Sequence, residues 1–203
     1  MFCCFNNLYK ISPGTFGVWM SLLRSIDGSV LWLSDGHAVA KTNLRRQAQE
    51  AGVAPERLVF APRLPGLADH LARHRQADLF LDTLPYNAHA TTAFALWSGL
   101  PVLTCLGSTF AGRVAGSLLT AVGLDEFVTS SYEAYEAMAL RLARDPAMLA
   151  AVKARLARNR DSYPLFDTTR FTRHIETAYV TAWERYQRGE APAGFTVEAQ
   201  NAR

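Results

Sequence analysis

The chain has 203 residues, 49% of them hydrophobic, and a formal net charge of +3 at pH 7, which fits one globular domain with room for a helical appendage. The basic residues are scattered (Arg45, Arg46, Arg57, Arg63, Arg73, Arg75), so nucleic-acid binding is not indicated. No apolar run reaches the roughly 18 residues of a membrane helix, no basic n-region marks a signal peptide, and three cysteines (Cys3, Cys4, Cys105) without metal spacing argue against a disulfide framework and for a reducing cytoplasm.

Residues 1–11 read as a strand end and loop. Ser12-Pro13 is a helix start, with Ser12 as N-cap and Pro13 in the first turn. Phe16, Trp19, Leu22, Leu23 and Ile26 recur at helical spacing up to Gly28. Residues 29–34 are a buried-type strand and 35–41 a loop. A helix capped by Thr42 or Asn43 runs through Ala51 to Gly52. Residues 57–61 form the next strand, and a short helix covers 68–75. An apolar strand at 79–81 then leads into a polar turn at 86–92. The spacing predicts a short helix over 93–97, a stop at Gly99 and a strand at 102–105. Helix 110–122, a short strand at 127–129 and helices at 132–144, 146–160 and 168–188 follow, and 189–203 reads as a flexible tail.

About five strands alternating with helices imply an α/β fold, a Rossmann-like doubly wound parallel sheet with a helical C-terminus. The expected divisions are a lead-in loop and helix at 1–28, the sheet-bearing lobe with its C-terminal helices at 29–188, and the tail. Ligands of such sheets sit at the carboxyl ends of the strands, which places 35–41, 62–70, 83–92 and 107–113 on one rim. Strand, polar turn and helix N-terminus at 77–104 make a phosphate-holding geometry, because free N–H groups and the helix dipole point at one spot. His89, Thr91 and Thr92 are expected there. No GxGxxG or GxxxxGK[ST] occurs. By themselves Lys10 reads as a surface lysine, and His89 and Thr91 read as turn and capping residues. His37, His74 and His174 read as surface residues, and Asp78 and Asp82 as loop anchors. Trp19, Trp32, Trp97 and Trp183 read as core, and the basic face of 146–160 as solvated.

Eight blocks, in order, carry a resemblance: Phe-Asn-Asn-Leu-Tyr-Lys-Ile (5–11), Ser-Val-Leu-Trp-Leu (29–33), Arg-Leu-Val-Phe-Ala-Pro (57–62), Ala-Asp-Leu-Phe-Leu-Asp-Thr (77–83), Asn-Ala-His (87–89), Leu-Trp-Ser-Gly-Leu-Pro-Val-Leu-Thr (96–104), Arg-Val-Ala (113–115) and Pro-Leu-Phe-Asp-Thr (164–168). From about residue 2 to 188 the chain resembles the C-terminal half of the catalytic region of the O-linked N-acetylglucosamine transferase and SPINDLY family. The resemblance implies the C-terminal lobe of a GT-B fold, which binds the nucleotide of UDP-N-acetylglucosamine. No cofactor or metal is implied. It further implies a fragment, with an N-terminal lobe and tetratricopeptide repeats that hold an acceptor protein's Ser or Thr lying outside it. A catalytically inactive remnant, or a module that binds UDP weakly, is the alternative.

The same resemblance implies roles for particular residues. Lys10 matches a lysine at the diphosphate, and Asn7 stands where a glutamine lies near the same phosphates. Residues 61–65, beginning at Ala61, match a loop whose backbone reads uracil. His70 and Arg73 match residues beside the nucleotide, and His89 and Thr91, with Thr92, match a His-Thr-Thr turn at the phosphates and ribose. Three positions depart from the pattern. Ala90 replaces the first threonine, Phe94 replaces an aspartate that holds the ribose hydroxyls, and the loop at 64–69 is one residue longer, with Gly66 the inserted residue.

Overall fold

The computed structural model describes residues 1–199. Six parallel strands form one sheet in the order β3-β2-β1-β4-β5-β6, the doubly wound arrangement in which the chain reverses direction beside β1. The strands are β1 (Phe2–Cys4), β2 (Leu31–Ser34), β3 (Leu58–Ala61), β4 (Leu79–Leu81), β5 (Val102–Cys105) and β6 (Val128–Thr129). β1 pairs with β2 through Phe2↔Leu31 and Cys4↔Leu33, and with β4 through Phe2↔Leu79 and Cys3↔Phe80. Residues 1–28 are therefore more than a lead-in. They supply a strand at the middle of the sheet, where a three-residue run of Phe-Cys-Cys is wholly buried. It is the strand end expected within residues 1–11, and with the five strands after it the sheet has six.

The described residues hold eight α-helices: α1 (Pro13–Ser25), α2 (Ala38–Glu50), α3 (Leu67–His74), α4 (Ala90–Trp97), α5 (Val114–Ala121), α6 (Tyr132–Arg144), α7 (Pro146–Ser162) and α8 (Thr168–Gln187). Ser12 caps α1 by accepting from the Thr15 N–H at 3.2 Å, with Pro13 in the first turn, as the sequence predicts. Phe16, Trp19, Met20, Leu22 and Leu23 face the core. α1 packs on α6, where the Trp19 indole donates to the Tyr135 hydroxyl at 3.3 Å. α4 packs among α3, α5 and α7.

Two helices begin earlier than expected. α2 starts at Ala38 instead of after Thr42, because nothing in Ala38-Val39-Ala40-Lys41 breaks a helix and the His37 ring accepts from the Val39 N–H. α4 starts at Ala90, three residues early, which puts Thr91 and Thr92 inside its first turn. It ends at Gly99, whose φ of +82° suits a residue without Cβ. The expected helix at 110–122 is a 3-10 turn (Phe110–Gly112) followed by α5.

Trp19 is core, but Trp97 and Trp183 are exposed, and Trp97 carries the Arg160 guanidinium over its ring and meets Phe166 edge-on at 5.1 Å. α8 buries no residue and shows Phe171, Tyr179, Trp183 and Tyr186 to its surroundings. Residues 190–199 have no helix or strand, and the rest of the expected tail lies outside the described residues. No helix among the described residues is long and apolar enough to cross a membrane.

The loop between β5 and α5 backs directly onto the turn after β4. Asn87 N–H donates to the Ala111 carbonyl at 2.9 Å, and Gly107 N–H to that of Gly112 at 2.7 Å. A Cβ on Gly112 would stand 2.8 Å from the Pro85 carbonyl oxygen and 3.0 Å from the Gly107 Cα, both backbone atoms. Gly112→Ala is predicted to cost about 1–3 kcal/mol by overpacking, read as a lower urea midpoint. An unchanged midpoint would mean the two loops part easily.

Candidate functional site

The site is built at the carboxyl ends of β1 and β4, neighbours at the reversal point of the sheet. β4 delivers Asp82 into the interior, where it is 2% exposed. One carboxylate oxygen accepts from Ala88 N–H at 2.6 Å, Thr83 N–H at 2.8 Å and Asn6 Nδ2 at 3.3 Å. The other accepts from the Thr104 hydroxyl at 2.7 Å. Asp82 is thus the loop anchor its position predicts. Burial pushes its pKa up to about 6, against the opposing pull of these four donors.

The turn is tied at further points. Thr83 Oγ1 accepts from Asn6 Nδ2 at 2.8 Å and donates to the Tyr86 carbonyl at 2.6 Å. Asn87 Nδ2 donates to the Thr83 carbonyl at 2.8 Å. The Ser12 and Thr15 hydroxyls donate to the Leu84 carbonyl at 2.8 and 3.0 Å.

Lys10 closes a 3-10 turn (Leu8–Lys10) after β1 and reaches across to this structure. Its Nζ donates to the Asn87 carbonyl at 2.9 Å and lies 3.6 Å from the Tyr86 ring centroid. His89 opens α4 without its side chain capping the helix. The N–H groups of the first turn are therefore not taken by that side chain, and they add to the positive end of the helix. The His89 ring lies 5.3 Å from that of Tyr86. Thr91 is half-buried in the first turn. Thr92 is fully buried and its hydroxyl donates to the Ala88 carbonyl at 3.2 Å, so the expected side-chain role at the phosphates is not open to it. The bond turns the hydroxyl back onto the residue before the helix cap, away from the rim.

A groove of about 530 Å³ continues along the rim past β2 and β3. Phe5, Asn7, Ala61, Pro62, Gly66, His70 and Arg73 are among its walls. Ala61 itself is buried, with its carbonyl taken by Asp35 N–H at 2.9 Å, so the backbone open to a ligand is that of the residues after it. Gly66 precedes α3, and its carbonyl accepts from His70 N–H at 3.1 Å, which places His70 in the helix's first turn. The His70 ring is surrounded by Phe5 (6.1 Å), His74 (4.9 Å) and Phe94 (5.9 Å). Arg73 is 7% exposed, its guanidinium over the Phe5 ring at 5.5 Å, and its Nε has no hydrogen-bond partner.

His74, expected at the surface, is fully buried behind His70. The two turns of α3 press it edge-on against Phe5 at 5.0 Å, and its Nδ1 donates to the His70 carbonyl at 2.8 Å. Burial drives its pKa down to about 4, and burial with the Arg73 charge lowers that of His70. Both shifts disfavour the charged imidazole, at His70 on the groove wall and at His74 behind it.

Asn7 is exposed and borders a second groove of about 640 Å³, which runs between the Leu8–Lys10 turn and α2 past Phe16, His37 and Leu44. No cluster of three or more His, Cys, Asp or Glu side chains among the described residues could hold a metal ion. The structure therefore brings Lys10, Tyr86, His89 and the α4 N-terminus together at one end of the rim, and His70, Arg73 and Phe94 together at the other. Tyr86 escaped the list of candidates because nothing in the sequence marks it beyond its place in the turn, whereas Asp82 is the loop anchor that the sequence suggests.

A model of the family described as Glycosyl transferase family 41 matches residues 1–175. The chain is 35% identical over 198 residues to the probable UDP-N-acetylglucosamine–peptide N-acetylglucosaminyltransferase SEC of Arabidopsis thaliana, covering 97% of this chain and 20% of that protein. It is 35% identical over 189 residues to the UDP-N-acetylglucosamine–peptide N-acetylglucosaminyltransferase of Caenorhabditis elegans, covering 93% and 16%. Among solved structures, a mutant of the Thermobaculum terrenum O-GlcNAc transferase superposes with a TM-score of 0.85 at 37% identity, over 90% of this chain and 35% of that one. The chain thus spans about a fifth of the length of the curated relatives it matches.

The buried Asp82 makes a pH prediction. Its pKa is about 6 folded against an ordinary 3.8, so between these values the folded state holds the extra proton. The contribution of Asp82 to stability is then fully present below about pH 4 and is lost as pH rises through about 6. Asn at this position keeps an oxygen for the three N–H donors and can donate to Thr104. Relative to Asp82→Asn, the wild type is predicted to lose on the order of 3 kcal/mol between pH 4 and pH 7 in urea titrations. A difference that stays flat with pH would contradict it.

Proposed function

The chain belongs to glycosyl transferase family 41, and on that premise we propose that it is the donor-binding lobe of a protein O-GlcNAc transferase. It holds UDP-N-acetylglucosamine for transfer of the sugar to serine or threonine hydroxyls. The observation that carries this reading is the half-buried Lys10 ammonium standing over the turn that opens α4. A cation and a row of unpaired helix N–H groups at the reversal point of a doubly wound sheet suit a diphosphate.

In the reaction the bond between the sugar C1 and the β-phosphate oxygen breaks as the acceptor oxygen bonds to C1. Negative charge grows on the departing UDP. Lys10 and the N–H groups of Ala90 and Thr91 meet that charge already in place, which lowers the barrier because no reorganisation is needed. The uracil lies in the rim groove, against the backbone after Ala61 and the ring of His70, with Arg73 beside it, and Asn7 stands toward the phosphates. Asp82 is buried under the turn with four donors on its carboxylate and is not a base. The base that takes the acceptor's proton, and the surface that holds the acceptor protein, are assigned to the N-terminal lobe and repeats of the family's architecture. A cytoplasmic setting belongs to the same proposal.

Phe94 favours a second reading, a module that holds UDP weakly without transfer. Its ring packs 5.9 Å from His70 at the edge of the groove, at the position that the family resemblance gives to a ribose-binding aspartate. Losing a charged acceptor costs roughly 1.5–3 kcal/mol.

Calorimetry with UDP separates the readings. The donor-lobe reading predicts micromolar binding, weakened about tenfold or more in Lys10→Ala, and tightened in Phe94→Asp. Absence of binding at millimolar UDP, or equal affinity in Lys10→Ala, would overturn it.

A further inference from the structure

We propose that Tyr86 is the positioning residue for Lys10, holding its ammonium over the turn by the ring face so that it meets the diphosphate already in place. The inference rests on Lys10 being the cation that binds the diphosphate.

Lysine is a poor candidate for a fixed charge. Its flexible stem has many rotamers, and that freedom must be given up wherever the ammonium is held. A carboxylate would hold it, but would also cancel the charge that the ligand needs. Among the described residues no carboxylate lies within ion-pair distance of Lys10. Two uncharged groups hold it instead, the Asn87 carbonyl at 2.9 Å and the Tyr86 ring at 3.6 Å from Nζ to centroid. The carbonyl takes one of the three N–H groups. The ring covers a side of the ammonium and attracts it through the quadrupole without neutralising it.

The ring is itself placed by the anchored turn. The Tyr86 carbonyl accepts from Thr83 Oγ1 at 2.6 Å, and the next residue, Asn87, is wholly buried. Yet the Tyr86 side chain is 40% exposed and takes no part in the core cluster. Its ring contacts are with Lys10 and with His89, whose ring lies 5.3 Å away. An aromatic held by its backbone, spared from the core and placed between the two groups expected at the phosphates is a spacer for them.

The test compares Tyr86→Leu, Tyr86→Phe, Lys10→Ala and the double variant Lys10→Ala/Tyr86→Leu by UDP calorimetry, with urea midpoints to confirm folding. Tyr86→Leu is expected to weaken UDP binding about threefold to tenfold, and Tyr86→Phe, which keeps the ring, to restore it. The double variant is expected to bind no more weakly than Lys10→Ala alone, because Tyr86 acts through Lys10. In NMR spectra without ligand, the Lys10 ε-methylene resonance is expected to be shifted upfield by the ring in wild type and Tyr86→Phe, and to return to its ordinary position in Tyr86→Leu.

Full affinity in Tyr86→Leu, tighter binding there, or additive losses in the double variant would overturn the role of Tyr86 while leaving Lys10 as the diphosphate cation. Failure of the wild type to bind UDP would overturn the donor-lobe reading and this inference with it. The methylene resonance would then still report whether ring and ammonium touch.

Discussion

A single buried carboxylate organises the rim of the sheet where the candidate site lies. Asp82 draws together the loop after β1 through Asn6, the turn after β4 through Thr83 and Ala88, and β5 through Thr104. An ionised carboxylate in the interior is costly, and four donors recover only part of that cost, which is why its pKa stays raised. The return is geometric. Three strand ends that share no sequence neighbourhood are held in one arrangement, and the turn over them presents the Asn87 carbonyl, the Tyr86 ring and the start of α4 to the rim.

The electrostatics of that rim follow from what is kept away from it. The carboxylate under the turn is buried and engaged, burial disfavours the charged form of His70 in the neighbouring groove and of His74 behind it, and Lys10 is steadied by a carbonyl and a ring. The Lys10 charge and the α4 N-terminus stand beside the turn with no carboxylate in ion-pair distance of Lys10 among the described residues. Charge of this kind, fixed before the ligand arrives, stabilises a leaving diphosphate more than the same charge on a free side chain.

Much of this was legible in the sequence where the residues act locally. α6 occupies the span its periodicity marks, and β4 and β5 fall where short apolar runs meet turn signals. What the sequence hid was decided by partners far along the chain. The strand end within residues 1–11 carries no sign of its place, and β1 lies at the middle of the sheet because β2 and β4 flank it. His74 looks like a surface histidine on a short basic helix until Phe5, about seventy residues away in sequence, is placed against it. Thr92 looks like a ligand group until α4 is seen to begin at Ala90, which turns its hydroxyl back onto Ala88. Tyr86 shows no role at all until Lys10 crosses from the far side of the sheet's reversal point.

A crystal structure of the protein with UDP bound tests the central claim most directly. The account predicts the β-phosphate within hydrogen-bond distance of Lys10 Nζ and the Thr91 N–H, with the uracil in the groove beside His70 and Arg73. A nucleotide seated instead in the groove between the Leu8–Lys10 turn and α2, or bound with its phosphates away from Lys10, would contradict it.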